Sequence, residues 1–450
     1  MDLSGEMTMA VATGERIDAR SMRVLGFPMM IGSLVAALVG LFDVAVVGRL
    51  GVTAMAGVAG GVIVFEIASN IVMAASVGAR VLLPRALGAQ DAAAGVRVVS
   101  AALSLQTVLG AVTAALLLVF AHPLAVAVVG SDLAVIATAA TFIRVTAVTV
   151  LLQSVGTVAT AYLAAARRSD LVLRFGLLAV SANLVLDIPF VFGIGAWPGF
   201  GPVGAAVATV VGYVLSVTAS WVAVRRQVRE HPPAVTGSAE AVGWSGLLSI
   251  SWPAMTSAVL DYAGTAVFFG IVSRFGGADL AGGRLAYQLS LFAFVMLGGF
   301  GAAATVLLGR NHGARGSPDV PGERFVLRYF GVAGVLTGAA LLVVGAPVGM
   351  VVGLDGPALH TYWWAIVIVA VSAVPMARSV GSASVLRYRG ATGRDLVSNV
   401  VSVWVVEIPL AALCAIVWGP SAAFLGFLGY WLVRAVLNEL LLRRIDNPVS

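Results

Sequence analysis

The stretch FPMMIGSLVAALVGLFDVAVVGRLG, Phe27 to Gly51, decides the fold because it returns as WPAMTSAVLDYAGTAVFFGIVSRFG, Trp252 to Gly276. Aligning Pro28 with Pro253 sets an offset of 225 positions. The same offset pairs Arg49 with Arg274, Gly51 with Gly276, Arg85 with Arg310, Gly88 with Gly313 and Ala89 with Ala314. A second pair, LDIPF from Leu186 and VEIPL from Val406, matches at an offset of 220. Agreement at so many Pro, Gly and Arg positions marks a duplicated unit, a common device of membrane proteins. Each copy opens on an apolar run of the ~20 residues needed to cross a ~30 Å hydrocarbon core.

Working outward from the repeat, further apolar runs fill the chain. Of 450 residues, 60% are hydrophobic and 11% are charged, against about 25% charged in a soluble domain. Twelve spans are expected, at roughly 23–48, 54–80, 98–121, 134–163, 172–195, 202–225, 245–273, 285–309, 326–351, 360–385, 395–418 and 421–442. A spanning segment must satisfy its own backbone hydrogen bonds, so helices are the default. The expected fold is an all-α polytopic membrane protein with two pseudo-symmetric six-helix lobes. Six spans per half bring the chain back to the same side, which makes the halves parallel, with a pseudo-twofold axis along the membrane normal. The division reads as an N-terminal tail 1–22, a first lobe 23–225, a polar linker 226–244, a second lobe 245–442 and a C-terminal tail 443–450.

The arginines orient the spans. Arg16, Arg20 and Arg23 precede the first. Groups such as Arg80, Arg85 and Arg97, or Arg167, Arg168 and Arg174, fill every second loop, and Arg443 and Arg444 follow the last. The alternate loops hold only Arg49, Arg274 and Arg284. The positive-inside rule then puts both termini in the cytoplasm, in the inner (plasma) membrane. The polar first 20 residues lack the charged start, apolar core and cleavage site of a signal peptide, so the first span is expected to remain as an anchor. The net charge of +6 is read as orientation and contact with anionic lipid, not nucleic-acid affinity. One cysteine, Cys414, excludes a disulfide framework, and four scattered histidines form no ligand spacing. No cofactor is expected.

Five acids fall inside the spans: Asp43, Glu66, Asp187, Asp261 and Glu407. A carboxylate at the bilayer centre costs about 3 kcal/mol, so such residues face a protein interior or a wet cavity. At ~1.5 Å per residue, Asp187 lies about 20 Å past Arg174 and Asp43 about 9 Å before Arg49. Both therefore stand at similar height in the outer half of the first repeat. Two carboxylates at one depth can share a proton or a monovalent cation, the behaviour of a coupling site. Asn183 lies one turn before Asp187 and faces the same way. Its amide oxygen beside carboxylates suits a hard cation such as Na⁺. Thr209 adds a hydroxyl, unless it bonds back to its own helix. Pro28 is either a start-of-helix proline or a hinge. In the second half Phe268 takes the place of Asp43, Asp261 stands opposite Ala36, and Glu407 is the mate of Asp187. Gly88 and Gly313 are expected to cap their helices.

The Phe27–Gly51 run resembles the first helix of the multidrug and toxic compound extrusion (MATE) family. SANLVLDIPFVFGIG with GPVGAAVAT, AYQLSLFAFVMLGGFGAAATVLLGRNHGA and LRYRGATGRDLVSNVVSVWVVEIPL resemble later segments, so the likeness runs from about residue 20 to 442. The resemblance implies secondary antiport, in which H⁺ or Na⁺ entry drives export of organic, often cationic or amphiphilic drugs or metabolites. It implies two six-helix lobes forming a V, with alternating access between them; a monomer in the bilayer is expected. In the DinF-like branch an Asp of the first helix and an Asn/Asp pair of the fifth form the cation site, and Asp43, Asn183 and Asp187 match them. In the NorM-like branch the key acid lies eight residues after the seventh helix's proline, where this chain has Asp261. Glu66 departs from a usually apolar helix and is a candidate substrate-facing acid. With Asp261 and Glu407 it forms the secondary acidic set. Two rivals are weaker. A lipid-linked precursor flippase wants a cationic cavity, whereas only Arg144 and Arg434 fall well inside the spans. A membrane enzyme needs a His-rich or Ser/His constellation that the sequence lacks.

Overall fold

The computed structural model describes residues 16–230 and 243–446, without the side chains of 36–41 and 446. Twelve long helices make the fold. They are α1 (Ala19–Gly48), α2 (Val52–Gly88), α3 (Ala92–Val129), α4 (Leu133–Ala165), α5 (Ser169–Phe192), α6 (Gly204–Glu230), α7 (Trp244–Ser273), α8 (Gly277–Arg315), α9 (Val320–Val351), α10 (Gly356–Tyr388), α11 (Thr392–Trp418) and α12 (Phe424–Asp446). Eleven of them, α2 to α12, are long and apolar enough to span a bilayer among the described residues. The 30 residues of α1 reach about 45 Å at 1.5 Å per residue, enough for a twelfth crossing.

Several helices run past the expected spans, because caps and polar turns carry a helix beyond its apolar part. Asp91 accepts the N–H of Ala94 at 2.7 Å and starts α3 ahead of position 98. Asp319 likewise accepts from Gly322 N at 3.2 Å to open α9. The expected linker is shorter than its polar composition implies, since α6 continues to Glu230 and α7 begins at Trp244. Residues 231–242 lie outside the described residues, and α12 takes in half of what reads as a C-terminal tail, up to Asp446. Gly88 and Gly313 are not the left-handed caps. That conformation falls on Gln90 (φ 57°) after α2 and on Gly316 (φ 68°) after α8. The Gly316 N–H closes α8 on His312 O at 2.8 Å.

Contacts divide the chain into two compact units, Ile31–Met255 and a second formed by Thr256–Ser450 with the segment up to Met30. These boundaries differ from the expected ones, since α1 and α7 each belong to both units. The two breaks repeat the 225-residue offset and fall just after Pro28 and Pro253. In the unit containing α8, Phe27 of α1 stacks edge-on against Phe300 at 5.4 Å. There Gly299 approaches so closely that an added Cβ would sit 2.5 Å from the Met30 backbone. In the other unit α7 packs on α2, where Gly78 N donates to Ser251 Oγ at 2.9 Å.

Small residues let helices approach within each unit, as expected for packing in lipid. A Cβ on Gly57 or Gly61 of α2 would collide with Thr138 or Phe142 of α4. Val64, Ala68 and Val72 then pack with Ala139, Ile143 and Ala147 in a common core. In the second unit Gly334 and Gly338 of α9 abut Val374 and Ala370 of α10. Two helices contain a wide π turn, Leu341–Gly345 in α9 and Val401–Glu407 in α11.

Candidate ion-coupling site

The loop joining α5 to α6 sets the site's frame. Phe200 N donates to Phe190 O at 2.7 Å, and Gly193 (φ 85°) turns where a side chain would strike Trp197 O at 2.1 Å. The helices then run in close contact. An added Cβ at Gly204 would lie 2.2 Å from Phe190 O, and one at Gly212 2.5 Å from Ala179 O. Thr209 stands between these two glycines and faces Asn183. Asp43 arrives from α1, five residues before that helix ends. Val46, Val47, Phe142, Val191 and Ala205 close the surrounding apolar cluster.

The four residues expected as a set, Asp43, Asn183, Asp187 and Thr209, meet in this pocket. Their exposures are 3%, 2%, 0% and 6%. Thr209 Oγ lies 3.0 Å from Ala205 O and 3.3 Å from Asp43 Oδ2. The hydroxyl's single proton thus has an acceptor in its own helix and another in the site. The Asn183 amide can be placed in two orientations, of which only the second gives its oxygen a donor. In one, its amide nitrogen donates to Asp187 Oδ1 at 3.3 Å and to Thr209 Oγ at 3.0 Å. In the other, the nitrogen donates to Asp43 Oδ1 at 3.3 Å and the oxygen accepts from the Thr209 hydroxyl and backbone N–H. The carboxyls of Asp43 and Asp187 thus flank a single amide, close enough to interact electrostatically, and Asp187 Oδ2 is buried without a hydrogen-bond partner among the described residues.

This arrangement has a chemical consequence. Two ionised carboxylates sharing one amide inside an apolar cluster repel, and burial costs both their hydration by bulk solvent. A proton or cation between them removes the conflict. The Asn183 amide, placed between the two carboxyls, can answer to where that proton sits. Its nitrogen faces the ionised carboxylate and its oxygen faces the protonated one, so each orientation matches one placement of a single proton. The oxygens of both carboxyls, Asn183 and Thr209 also form a hard donor set that fits Na⁺. Among the described residues no cluster of three or more His, Cys, Asp or Glu suits a multivalent metal.

Two neighbours are absent from the sequence-based set. Tyr213 interacts electrostatically with Asp43, and Gln153 Nε2 lies 3.5 Å from the Tyr213 hydroxyl. Tyr213 was detectable in principle, being one turn beyond Thr209 on α6. Gln153 depends on how α4 packs.

The remaining acids lie elsewhere. In the second unit Asp261 accepts from Asn399 Nδ2 at 2.6 Å, and Asn399 also reaches Ser257 Oγ at 2.8 Å. Tyr430 OH donates to Asn399 Oδ1 at 2.9 Å. Arg434 hydrogen-bonds Tyr430 and pairs with Asp395 at 3.2 Å, which Arg387 also holds at 3.1 Å. Glu407 interacts with Asp261 from the end of the π turn. Glu66 joins neither cluster and sits exposed on α2. Pro28 lies inside α1, nine residues past its start, not at the first turn.

A family model described as MatE matches twice, over residues 28–188 and 253–413. The two matches are displaced by the same 225 positions as the repeat. The chain is 24% identical over 426 residues to the probable multidrug resistance protein NorM of Thermotoga maritima, covering 91% of this chain and 87% of that one. It is 23% identical over 277 residues, 61% of either chain, to the FAD transporter of Shewanella oneidensis. In three dimensions it is similar to the Vibrio cholerae MATE transporter VcmN in its bent form, with a TM-score of 0.82, 20% identity and 98% of each chain covered. At that identity the structural likeness speaks for the fold alone.

Proposed function

Because this chain belongs to the MatE family, and is thus a multi-pass membrane transporter and not an enzyme, we propose that it is a secondary antiporter exporting small organic, cationic or amphiphilic compounds in exchange for H⁺ or Na⁺. One observation carries the coupling site: Asp43 and Asp187 meet around one amide, Asn183, 3.3 Å from an oxygen of each, in a buried pocket where Thr209 also reaches Asp43 at 3.3 Å. Loading one H⁺ or Na⁺ relieves the carboxylate repulsion, and releasing it restores the repulsion. The equilibrium between access states then depends on which ion gradient is present. Pro28 is proposed as the hinge, since α1 passes from one unit to the other two residues later. The termini are proposed to be cytoplasmic.

The test uses purified protein in liposomes and ethidium as the organic cation. A Na⁺ gradient and a pH gradient are imposed separately on wild type and Asp187→Asn. Wild type is expected to move dye with at least one gradient. Asp187→Asn is expected to lose about tenfold or more of that rate, because an amide cannot carry the proton or bind the ion as a carboxylate does. Equal gradient-driven transport by a well-folded Asp187→Asn protein would sink the coupling assignment.

A further inference from the structure

We propose that the exposed face of α2 bearing Glu66 is a wall of the substrate path, and that the Glu66 carboxylate selects organic cations there; the selection for cationic cargo rests on the export reading above.

The argument starts with helix geometry. Gly57, Gly61, Val64, Ala68 and Val72 form the buried side of α2. Met55, Ile63, Glu66 and Asn70 are exposed. Depth comes next. Glu66 lies 14 residues from Val52, where α2 begins, and 14 from Arg80, at the arginine-rich end. At ~1.5 Å per residue that places it about 21 Å from each, at the middle of the span. A glutamate is too short to bring its charge to either interface from there. Arg144, the other exposed charge well inside a span of this unit, has the longer stem that permits such a reach.

The Glu66 carboxylate has no hydrogen bond or ion pair among the described residues, although its backbone carbonyl accepts from Asn70 Nδ2 at 2.8 Å. An unpaired carboxylate facing hydrocarbon at this depth is strongly disfavoured. Real lipid-facing surface looks different: the exposed side of α3 carries Val108, Val112, Leu116, Val119 and Phe120. The α2 face must therefore meet water or a polar cargo. A single carboxylate with Ile63 one turn before it and the neutral amide of Asn70 one turn after it offers one charge without a competing cation, the complement of a lipophilic organic cation.

Two measurements test this in the full-length protein. The first uses the one native cysteine. In a Cys414→Ala background, Glu66→Cys is expected to react with a charged, membrane-impermeant methanethiosulfonate in open membrane sheets, while Val119→Cys stays unreactive. Equal lack of reaction at both positions would overturn the wet-path assignment. The second measures binding to purified protein of tetraphenylphosphonium, a cation, and N-phenylnaphthylamine, an uncharged aromatic. Glu66→Gln is expected to weaken the cation about tenfold and leave the neutral probe unchanged, with Glu66→Asp retaining cation preference. Unchanged cation affinity in Glu66→Gln, parallel loss of both probes, or no cation binding by wild type each overturns the selectivity claim. Failure of the antiport reading shows separately, as cation-selective binding without gradient-driven movement.

Discussion

Gly204 and Gly212 matter to the site without bearing any of its chemistry. They let α6 approach the carbonyls of Phe190 and Ala179, and that approach brings Thr209 onto Asn183. Gly212→Ala puts a Cβ 2.5 Å from Ala179 O, backbone that cannot rotate away. A clash of this kind costs about 1–3 kcal/mol. The variant is expected to unfold at lower temperature in a detergent melt and to transport more slowly, because the widened gap stretches the 3.0 Å contact between Thr209 and Asn183. An unchanged melt would show that α5 and α6 part without cost. The Asn183–Asp187 pair was legible in the sequence because both residues share one helix and i,i+4 spacing fixes their direction. The contacts of Gln153 were not, because they depend on which helix faces α6.

At the scale of the element, proline and π turn are the informative departures from a regular helix. Pro28 lies within α1, where an interior proline costs about 3 kcal/mol. Pro28→Ala is expected to raise the melting temperature and to lower the gradient-driven ethidium rate, if the missing hydrogen bond serves bending. A more stable protein with undiminished transport would remove the hinge role. The π turn Val401–Glu407 falls where the second half departs from the first: at the offset of 220 the mate of Asn183 is Val403. Asn183 and Asp187 are four residues apart, whereas Asn399 and Glu407 are eight apart with the wide turn between them. Asn399 meets Asp261 of α7. A ladder with an altered hydrogen-bond step leaves apolar composition unchanged, so hydropathy gave no sign of it.

At the scale of the whole molecule, charge placement should govern orientation. A C-terminal green fluorescent protein fusion is expected to fluoresce and a C-terminal alkaline phosphatase fusion to be inactive, as befits a cytoplasmic end; the reverse pattern would invert the topology. The sequence by itself determined that the chain crosses the membrane many times, that it is duplicated at an offset of 225, and which acids stand at bilayer depth. Those properties follow from local composition and helical rise, which a linear pattern records. Only the tertiary structure decided that Asp43, Asn183, Asp187 and Thr209 share one pocket, that Asp261 is held by Asn399, that Glu66 lies open, and that α1 and α7 each divide between two units. Each of these depends on which helix faces meet and how closely, and glycines and backbone turns far apart in the chain set that approach.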